Sequence, residues 1–267
     1  MLSHQIIVPT RKRVPIVLSI PHCGTEFPEE LKNEYKPELM QAPDDTDWFV
    51  QKLYDFAPAM GITIIHAVYS RWVIDVNRDP QSKPLYTDGR IITPLCPTTD
   101  FFGNRIYQDE RKEVAADEVK RRTEKYYVPY HSKLKETLAD LKSEFGKVLL
   151  WECHSIRQFV PTIYKDKFPD LILGDADGTS ASAEISETAL QLLKSAKYQV
   201  NHNHPFKGGY ITRQFCNPKN KEHALQLEMT KVNYMDDSEK RYDEARAEEM
   251  RTILKKTLGS LSEKLLS

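Results

Sequence analysis

Two histidines each follow a short apolar run and could act together as metal ligands. His22 comes after VPIVLSI at 14–20, and His154 comes after VLLW at 148–151. Brief runs of this kind predict buried strands, and the carboxyl ends of parallel strands lie along one edge of a sheet. The two imidazoles can therefore meet, although more than a hundred residues separate them in the sequence.

A catalytic zinc site would also need a carboxylate. Such sites commonly use two imidazoles and one carboxylate, and they keep one position open for water or substrate. The stretch DDTDW at 44–48 offers Asp45 or Asp47, beside a predicted helix start where Thr46 or Asp47 could be the cap. A histidine after a strand can equally be structural, and an aspartate at a helix start can simply cap the helix. The spacing alone leaves these interpretations open.

Metal-assisted hydrolysis needs a group that takes a proton from water and returns it to the leaving group, and glutamate is the usual choice. In HALQLEM at 223–229, leucines and a methionine alternate with Gln226 and Glu228, as in a half-exposed strand. Glu228 on the polar face is the candidate base. The same pattern also fits a solvated glutamate on an edge strand.

Arginines are the candidate groups for recognising a charged substrate, because the planar guanidinium matches a carboxylate. Arg71 and Arg78 lie in SRWVIDVNR, and Arg157 follows His154 by three residues. Arg213 lies in GGYITRQF, where two glycines permit a close approach of the backbone. Each arginine also fits an ordinary surface ion pair.

Two other motifs carry little weight. HNH at 202–204 resembles a nuclease label but lacks the surrounding metal-binding pattern. Cysteines precede or follow both histidines, which suggests a thiol nucleophile with a histidine base. Neighbouring residues on a strand point to opposite faces, so these Cys–His pairs are poorly placed to form a hydrogen bond.

The composition favours a small-molecule partner. The 267 residues include 38 basic and 39 acidic side chains, so no field of one sign would attract nucleic acid or an anionic membrane. The four cysteines lack CxxC spacing, which argues against a disulfide framework and suits a reducing cytoplasm. No apolar stretch is long enough for a signal peptide or a membrane span. We expect a cytoplasmic protein without nucleic-acid or membrane partners; its oligomeric state stays open.

Short apolar runs alternate with helical patterns, which predicts an α/β fold. Helical faces contain Leu134, Leu138 and Leu141, a second set around Ala189, and a third from Met250 to Leu265, while Pro129 interrupts a helix that begins near Gln108. The predicted strands are 14–20, 62–66, 72–76, 148–151, 171–173 and 223–229. We expect one domain over 1–267, with a mixed, mostly parallel sheet flanked by helices.

The chain resembles the N-formylglutamate amidohydrolase (N-formylglutamate deformylase) family of histidine degradation over about residues 15–237, with a C-terminal helix at about 238–266. Eight blocks in family order carry the resemblance: SIPHCGTEFP, DTDWFVQKLYDFA, SRWVIDVNRDP, LYTDGRI, ECHSIR, GDADGTS, GGYITR and HALQLEMTKVNYM. This chain departs from the family pattern at Phe49, where the family favours histidine, and at Cys216 and Asn217, where it favours glycine before proline.

The resemblance implies a fold like that of the zinc carboxypeptidases and aminoacylases. It implies that His22, His154 and either Asp45 or Asp47 bind a divalent metal, most simply Zn²⁺. It also implies that Glu228 is the general base and acid, and that Asn77 with Arg78 is similar to the Asn-Arg pair that binds a substrate carboxylate. Independently of the resemblance, the segment from Asn77 to Tyr107 is long and rich in Pro, Thr and Gly, and loops of that length in a compact domain are usually functional or disordered.

Our leading hypothesis is a metalloamidohydrolase that cleaves the formyl amide of N-formyl-L-glutamate, giving formate and glutamate. Arg71, Arg78 and Arg213 would bind the glutamate carboxylates. One alternative is a related amidase that acts on another N-acyl amino acid or on a peptidoglycan amide. A second alternative, from a different class, is a metal-free protein that binds dicarboxylates.

Overall fold

Seven strands form one mixed sheet in the computed structural model, which describes residues 2–81, 83 and 93–267. In chain order they are β1 His4–Ile7, β2 Ile16–Ile20, β3 Thr63–Ala67, β4 Val148–Ile156, β5 Leu171–Gly174, β6 Val200–His202 and β7 Glu222–Thr230. Their spatial order is β1-β3-β2-β4-β7-β5-β6. The central strands β3, β2, β4 and β7 are parallel, whereas β1, β5 and β6 run in the opposite direction. The predicted α/β fold with a mixed sheet is confirmed.

One predicted strand, WVIDV at 72–76, was wrong. The segment forms turns in which Ser70 accepts hydrogen bonds from the backbone of Trp72 and Val73. The Asp75 carboxylate accepts the backbone N–H of Asn77 at 2.9 Å. Such local bonds compete with a strand ladder, so this apolar run enters the core as irregular backbone.

Strand β7 was predicted with the correct alternation but the wrong environment. It lies between β4 and β5 and is buried from His223 to Thr230, so it is not a half-exposed edge strand. Leu225 and Leu227 face an apolar layer, and Glu228 faces the other side. The polar face of this strand therefore lines a buried site instead of meeting solvent.

Helices cover both faces of the sheet. They are α1 Pro37–Met40, α2 Val50–Leu53, α3 Ala116–Arg122, α4 Val128–Phe145, α5 Ala183–Lys194, α6 Tyr210–Gln214 and α7 Glu244–Leu266. Side chains of α2, α5 and α7 pack in one apolar cluster, while those of α4 pack in a second cluster on the opposite face. Among the described residues, no helix combines the length and apolar character needed to cross a membrane.

Two helix predictions differ from the structure. The helix expected near Gln108 begins at Ala116, and a π-helical turn at Thr123–Tyr127 joins it to α4. Pro129 lies directly after this π-helical turn, and the chain stays helical through it, so the proline does not interrupt the helix as predicted.

The loop before α2 is not capped as the sequence suggested. Residue Phe49 precedes the helix in a left-handed conformation, with φ of 63°, and no described side chain caps the helix. The carboxylate of Asp47 is turned towards His154. The hydroxyl of Thr46 is buried and has no hydrogen-bond partner within the described part of the chain.

Candidate active site

His22, Asp47 and His154 converge at the carboxyl edge of the central strands. Asp47 Oδ2 lies 3.1 Å from His154 Nδ1 and 3.8 Å from His22 Nδ1. One potential ligand atom from each residue lies within 4.8 Å of the other two. All three side chains are buried, and the imidazole centroids are 4.9 Å apart. The arrangement suits one ion shared by two imidazoles and a carboxylate.

The sheet and one loop place these three groups. His22 follows β2 by two residues, and His154 lies near the end of the adjacent parallel strand β4. The backbone N–H of Asp47 donates to the carbonyl of His22 at 2.9 Å, which ties the loop to the end of β2.

Each imidazole has a buried carboxylate behind it. His22 Nε2 lies 2.7 Å from Asp75 Oδ1, and His154 Nε2 lies 2.6 Å from Glu152 Oε1. When Nε2–H donates to these carboxylates, the Nδ1 lone pairs of both rings face Asp47. Histidine ligands of metal ions are typically oriented in this way. The donor set therefore fits a divalent ion.

Asp75 and Glu152 were not predicted as site residues. Glu152 had a usable signal, because it lies two residues before His154 on one strand and so shares its face. Asp75 had no usable signal in the sequence, because the segment WVIDV was predicted to be a strand. The Arg71 guanidinium donates to Asp75 Oδ2 at 2.5 Å. Burial alone would raise the pKa of Asp75, but the Arg71 guanidinium, the adjacent His22 ring and Arg78 hold it well below its ordinary value.

Electrostatics distinguish the two imidazoles. Burial lowers the pKa of His22, and the adjacent Arg71 lowers it further, so the neutral ring is favoured there. Burial also opposes protonation of His154, yet its bonds to Asp47 and Glu152 raise the pKa well above the ordinary value. Burial would raise the pKa of Asp47, but its hydrogen bond with His154 lowers it. Asp47 is therefore available as a carboxylate ligand.

Glu228 lies beside these groups on β7, in direct register with His154. Its side chain is buried, and within the described residues its carboxyl group has no hydrogen-bond or ion-pair partner. Burial raises its pKa to about 8, with His154 and Arg71 opposing that shift. A buried carboxyl group that titrates near neutrality can hold and release a proton during a reaction.

Asp45, the other candidate ligand, supports the surrounding loops instead. Its Oδ2 accepts the indole N–H of Trp72 at 3.0 Å, and its Oδ1 accepts the backbone N–H of Phe101 at 2.9 Å. It is absent from the His–Asp–His group that the described residues form. The geometry favours Asp47 over Asp45 as the ligand.

Arg71 is the predicted substrate-binding arginine nearest to the histidines. Its NH1 lies 3.3 Å from His22 Nδ1, and its guanidinium carbon lies 4.7 Å from the centroid of the Phe101 ring. The side chain is buried, and its Nε has no hydrogen-bond partner among the described residues. A buried guanidinium with a spare donor suits a substrate oxygen.

Asn77 and Arg78 take part in the hydrogen bonds around the two histidines and the loops beside them. The Asn77 amide donates to Glu152, approaches His154 Nε2 at 3.1 Å, and accepts the backbone N–H of Ile211 at 2.9 Å. Arg78 donates to the carbonyl and hydroxyl of Thr93, each at 3.1 Å. Asn77 thus helps to fix the carboxylate behind His154.

Arg213 is exposed on α6, and its Nε donates to the carbonyl of Gly208 at 3.0 Å. The same short helix holds Glu152 through the backbone N–H of Thr212, at 2.9 Å. A Cβ atom at Gly209 would lie only 2.3 Å from the Asn77 amide nitrogen. The glycine therefore allows α6 to pack directly against the site. The LYTDGRI block, at 85–91, lies outside the described residues.

Comparison with known proteins gives one consistent family. The N-formylglutamate amidohydrolase family model matches residues 14–235. The chain is 37% identical to N-formylglutamate deformylase of Pseudomonas putida, over 93% of this chain and 92% of that protein. It is 38% identical to the N-formylglutamate deformylase of Pseudomonas aeruginosa, over 94% of each chain.

Solved structures agree. The N-formylglutamate amidohydrolase of Ralstonia eutropha JMP134 superposes with a TM-score of 0.80 at 26% identity, covering 99% of this chain and 98% of that one. A gene product of Agrobacterium tumefaciens shares the fold, with a TM-score of 0.74 at 16% identity over 98% of this chain and 96% of that one. The site, the fold and these relatives define the class as amidohydrolase. The chain belongs to the N-formylglutamate amidohydrolase family.

Proposed function

We propose that the protein hydrolyses N-formyl-L-glutamate to formate and L-glutamate, using a divalent metal ion. The main support is the convergence of His22, Asp47 and His154, each imidazole backed by a buried carboxylate, with Glu228 alongside. The relatives named N-formylglutamate deformylase support the choice of substrate.

His22 Nδ1, His154 Nδ1 and one oxygen of Asp47 would hold the ion, and Zn²⁺ matches this set of two nitrogens and one oxygen. A bound Zn²⁺ supplies a Lewis acid that polarises a carbonyl group and lowers the pKa of water. Asp75 and Glu152 keep the two rings oriented and raise their basicity as ligands.

Glu228 is the proposed general base and acid. In its ionised form it accepts a proton from the attacking water, and it then returns that proton to the amide nitrogen as the carbon–nitrogen bond breaks. The hydroxyl group of water ends in formate, and the nitrogen leaves as the amino group of glutamate. Among the described residues this carboxyl group has no hydrogen-bond or ion-pair partner, and burial raises its pKa to about 8, so it can take up and return a proton near neutral pH.

Arg71 would orient the substrate, because it lies beside His22 and its Nε has no hydrogen-bond partner among the described residues. We assign Arg71, with Asn77 and Arg78, to the α-carboxylate of the substrate, and we retain the exposed Arg213 as a further candidate contact for a substrate carboxylate. Holding the substrate in one reactive orientation uses binding energy to raise the reaction rate. We also propose a place in histidine degradation and a cytoplasmic location, consistent with the four free cysteines.

The test is formate release from N-formyl-L-glutamate, measured before chelation, after chelation and after Zn²⁺ is restored. We expect activity to disappear with the metal and to return with it. A panel of N-formyl and N-acetyl amino acids distinguishes a related amidase with another preferred substrate. A purified chain that holds no metal and releases no formate after Zn²⁺ is added would instead support a dicarboxylate-binding protein.

A further inference from the structure

Gln226 lies on the same polar face of β7 as Glu228, and one end of its side-chain amide is unpaired. The residue is 5% exposed, and its Oε1 accepts the backbone N–H of Gly209 at 2.7 Å. Because a backbone N–H only donates, this bond fixes which end of the amide is oxygen. Among the described residues Nε2 has no hydrogen-bond partner, and it is not sealed from solvent. Its two N–H donors are therefore available to a ligand.

The position of Gln226 in the sheet places it directly beside the metal-binding groups. In the parallel pairing of β4 with β7, Gln226 lies opposite Glu152, and Glu228 lies opposite His154. Both oxygens of Glu152 are already engaged: Oε1 lies 2.6 Å from His154 Nε2, and Oε2 accepts the backbone N–H of Thr212 at 2.9 Å. The nearest carboxylate on the neighbouring strand thus leaves the Gln226 donors unused.

The peptide group between Gly208 and Gly209 connects Gln226 to two of the predicted substrate-binding residues. Its N–H donates to Gln226, and its carbonyl accepts Arg213 Nε at 3.0 Å. A Cβ atom at Gly209 would lie 2.3 Å from the amide nitrogen of Asn77, so the glycine backbone packs directly on that side chain. Gln226 therefore belongs to the same group of contacts as Asn77 and Arg213.

The spacing of Gln226 and Glu228 matches the length of the substrate. Residues two apart on a strand share a face, and their Cα atoms are separated by roughly 6.6 Å. In extended N-formylglutamate, roughly 6 Å separates the formyl carbon from the side-chain carboxyl carbon. A substrate with its formyl carbon at Glu228 can therefore place its side-chain carboxylate at Gln226.

We propose that Gln226 donates a hydrogen bond to the side-chain carboxylate of N-formyl-L-glutamate and so helps to select an acidic side chain. The assignment rests on the function proposed above. It divides the recognition of the two carboxylates, because Arg71, Asn77 and Arg78 are assigned to the α-carboxylate. A hydrogen bond to an ionised acceptor is roughly twice as strong as one between neutral groups, so a substrate with a neutral side-chain amide gains less from Gln226.

The experiment compares kcat/KM for N-formyl-L-glutamate and N-formyl-L-glutamine, which differ in charge but hardly in shape. In Gln226→Met we expect kcat/KM to fall about 30-fold for the glutamate substrate, mostly through KM, and about 3-fold for the glutamine substrate. The preference for glutamate should therefore fall about 10-fold. If Gln226 served only to hold Gly209, both substrates would lose equally and the preference would not change.

Gln191→Met is the matched control, since Gln191 is an exposed glutamine on α5. We expect it to leave kcat/KM for both substrates within about 3-fold of wild type. An unchanged preference in Gln226→Met overturns the assignment and leaves the deformylase proposal intact.

If Gln226→Met does not fold, the wild type provides the test. The side-chain amide signals of Gln226, recorded by NMR on ¹⁵N-labelled protein, should shift when the zinc-loaded enzyme is saturated with the product L-glutamate. Signals that do not shift at saturation overturn the assignment. Wild-type enzyme that releases formate from neither substrate overturns both proposals.

Discussion

The two faces of β4 and β7 contrast sharply, although the same backbone carries both. On one face, odd-numbered residues such as Trp151, Leu225 and Leu227 pack with α5 and α7, and this layer is apolar from Leu149 to Cys153 and from Leu225 to Met229. On the other face, Leu150 and Ala224 are apolar, and the next residues along each strand on that face are polar. Those polar residues are Glu152, His154, Gln226 and Glu228.

This contrast shows how one pair of strands serves stability and chemistry separately. The polar face is buried, so most of its groups are tied into hydrogen bonds: Glu152 with His154 and Thr212, and Gln226 with the backbone of Gly209. Glu228 lacks such a partner within the described residues. We therefore expect substitutions on the two faces to separate cleanly into losses of activity and losses of stability.

The largest effect is expected for Glu228→Gln on the polar face. Its kcat for formate release should fall about 10²- to 10⁴-fold, because amide nitrogen and oxygen cannot replace the carboxylate as proton acceptor. Bound metal, measured by elemental analysis, should be unchanged. Glu222→Gln, at the beginning of the same strand, is the control and should remain active. Retained turnover in Glu228→Gln would remove this residue from the mechanism.

On the apolar face, Trp151→Ala should act through stability. The indole is fully buried and donates to the Tyr54 hydroxyl at 3.2 Å. Its loss leaves a cavity and should lower the free energy of unfolding by about 3–5 kcal/mol in urea titrations. The kcat of the remaining folded protein should stay within a few-fold of wild type. A large kcat loss at full stability would show that the two faces are not separable.

Asp75→Asn should have a smaller effect, on metal affinity. The carboxylate that orients His22 and neutralises Arg71 becomes neutral, while the shape of the side chain is kept. We expect the dissociation constant for Zn²⁺ to rise about 10- to 100-fold in competition with a chelating dye. Asp140→Asn on the exposed side of α4 provides the control. Equal affinities in the two variants would argue against a role for Asp75 behind the metal ligand.

The last expected effect, confined to the metal-free protein, is a pH dependence of stability. Burial raises the pKa of Glu228 from its ordinary 4.5 to about 8, so the folded state keeps a proton that the unfolded chain releases between these values. The free energy of unfolding of the wild type, relative to that of Glu228→Gln, should therefore decrease by a few kcal/mol as pH rises from about 4.5 to 8, and should then level off. If plots of unfolding free energy against pH, measured in the presence of chelator, are parallel for the wild type and Glu228→Gln, the raised pKa of Glu228 is contradicted.

Periodicity predicted much of this fold and part of the site. Alternation placed Glu228 opposite Leu225 and Leu227, and the apolar runs located His22 and His154 at one edge of the sheet. The prediction that β7 is half exposed was wrong, because a polar face looks the same in sequence whether solvent or other buried polar groups satisfy it. Asp75 was missed since its role depends on the Arg71 charge and on a turn, which pattern alone does not reveal.

The choice between Asp45 and Asp47 also needed three-dimensional structure. The two aspartates are two residues apart and both are buried. From the sequence, either could complete a ligand set with the two histidines. Only the observed bonds of Asp45 to Trp72 and Phe101 separate their roles. Spacing cannot supply that information, because those partners come from other parts of the chain.

The most direct test of the shared metal site is zinc content per chain in the wild type, Asp47→Asn and Asp45→Asn, measured after dialysis against Zn²⁺. Asp47 contacts His154, whereas Asp45 contacts the loops. We predict one zinc per chain in the wild type and in Asp45→Asn, and its loss in Asp47→Asn. A wild-type chain that binds no zinc, or zinc lost from Asp45→Asn but kept by Asp47→Asn, would contradict the site.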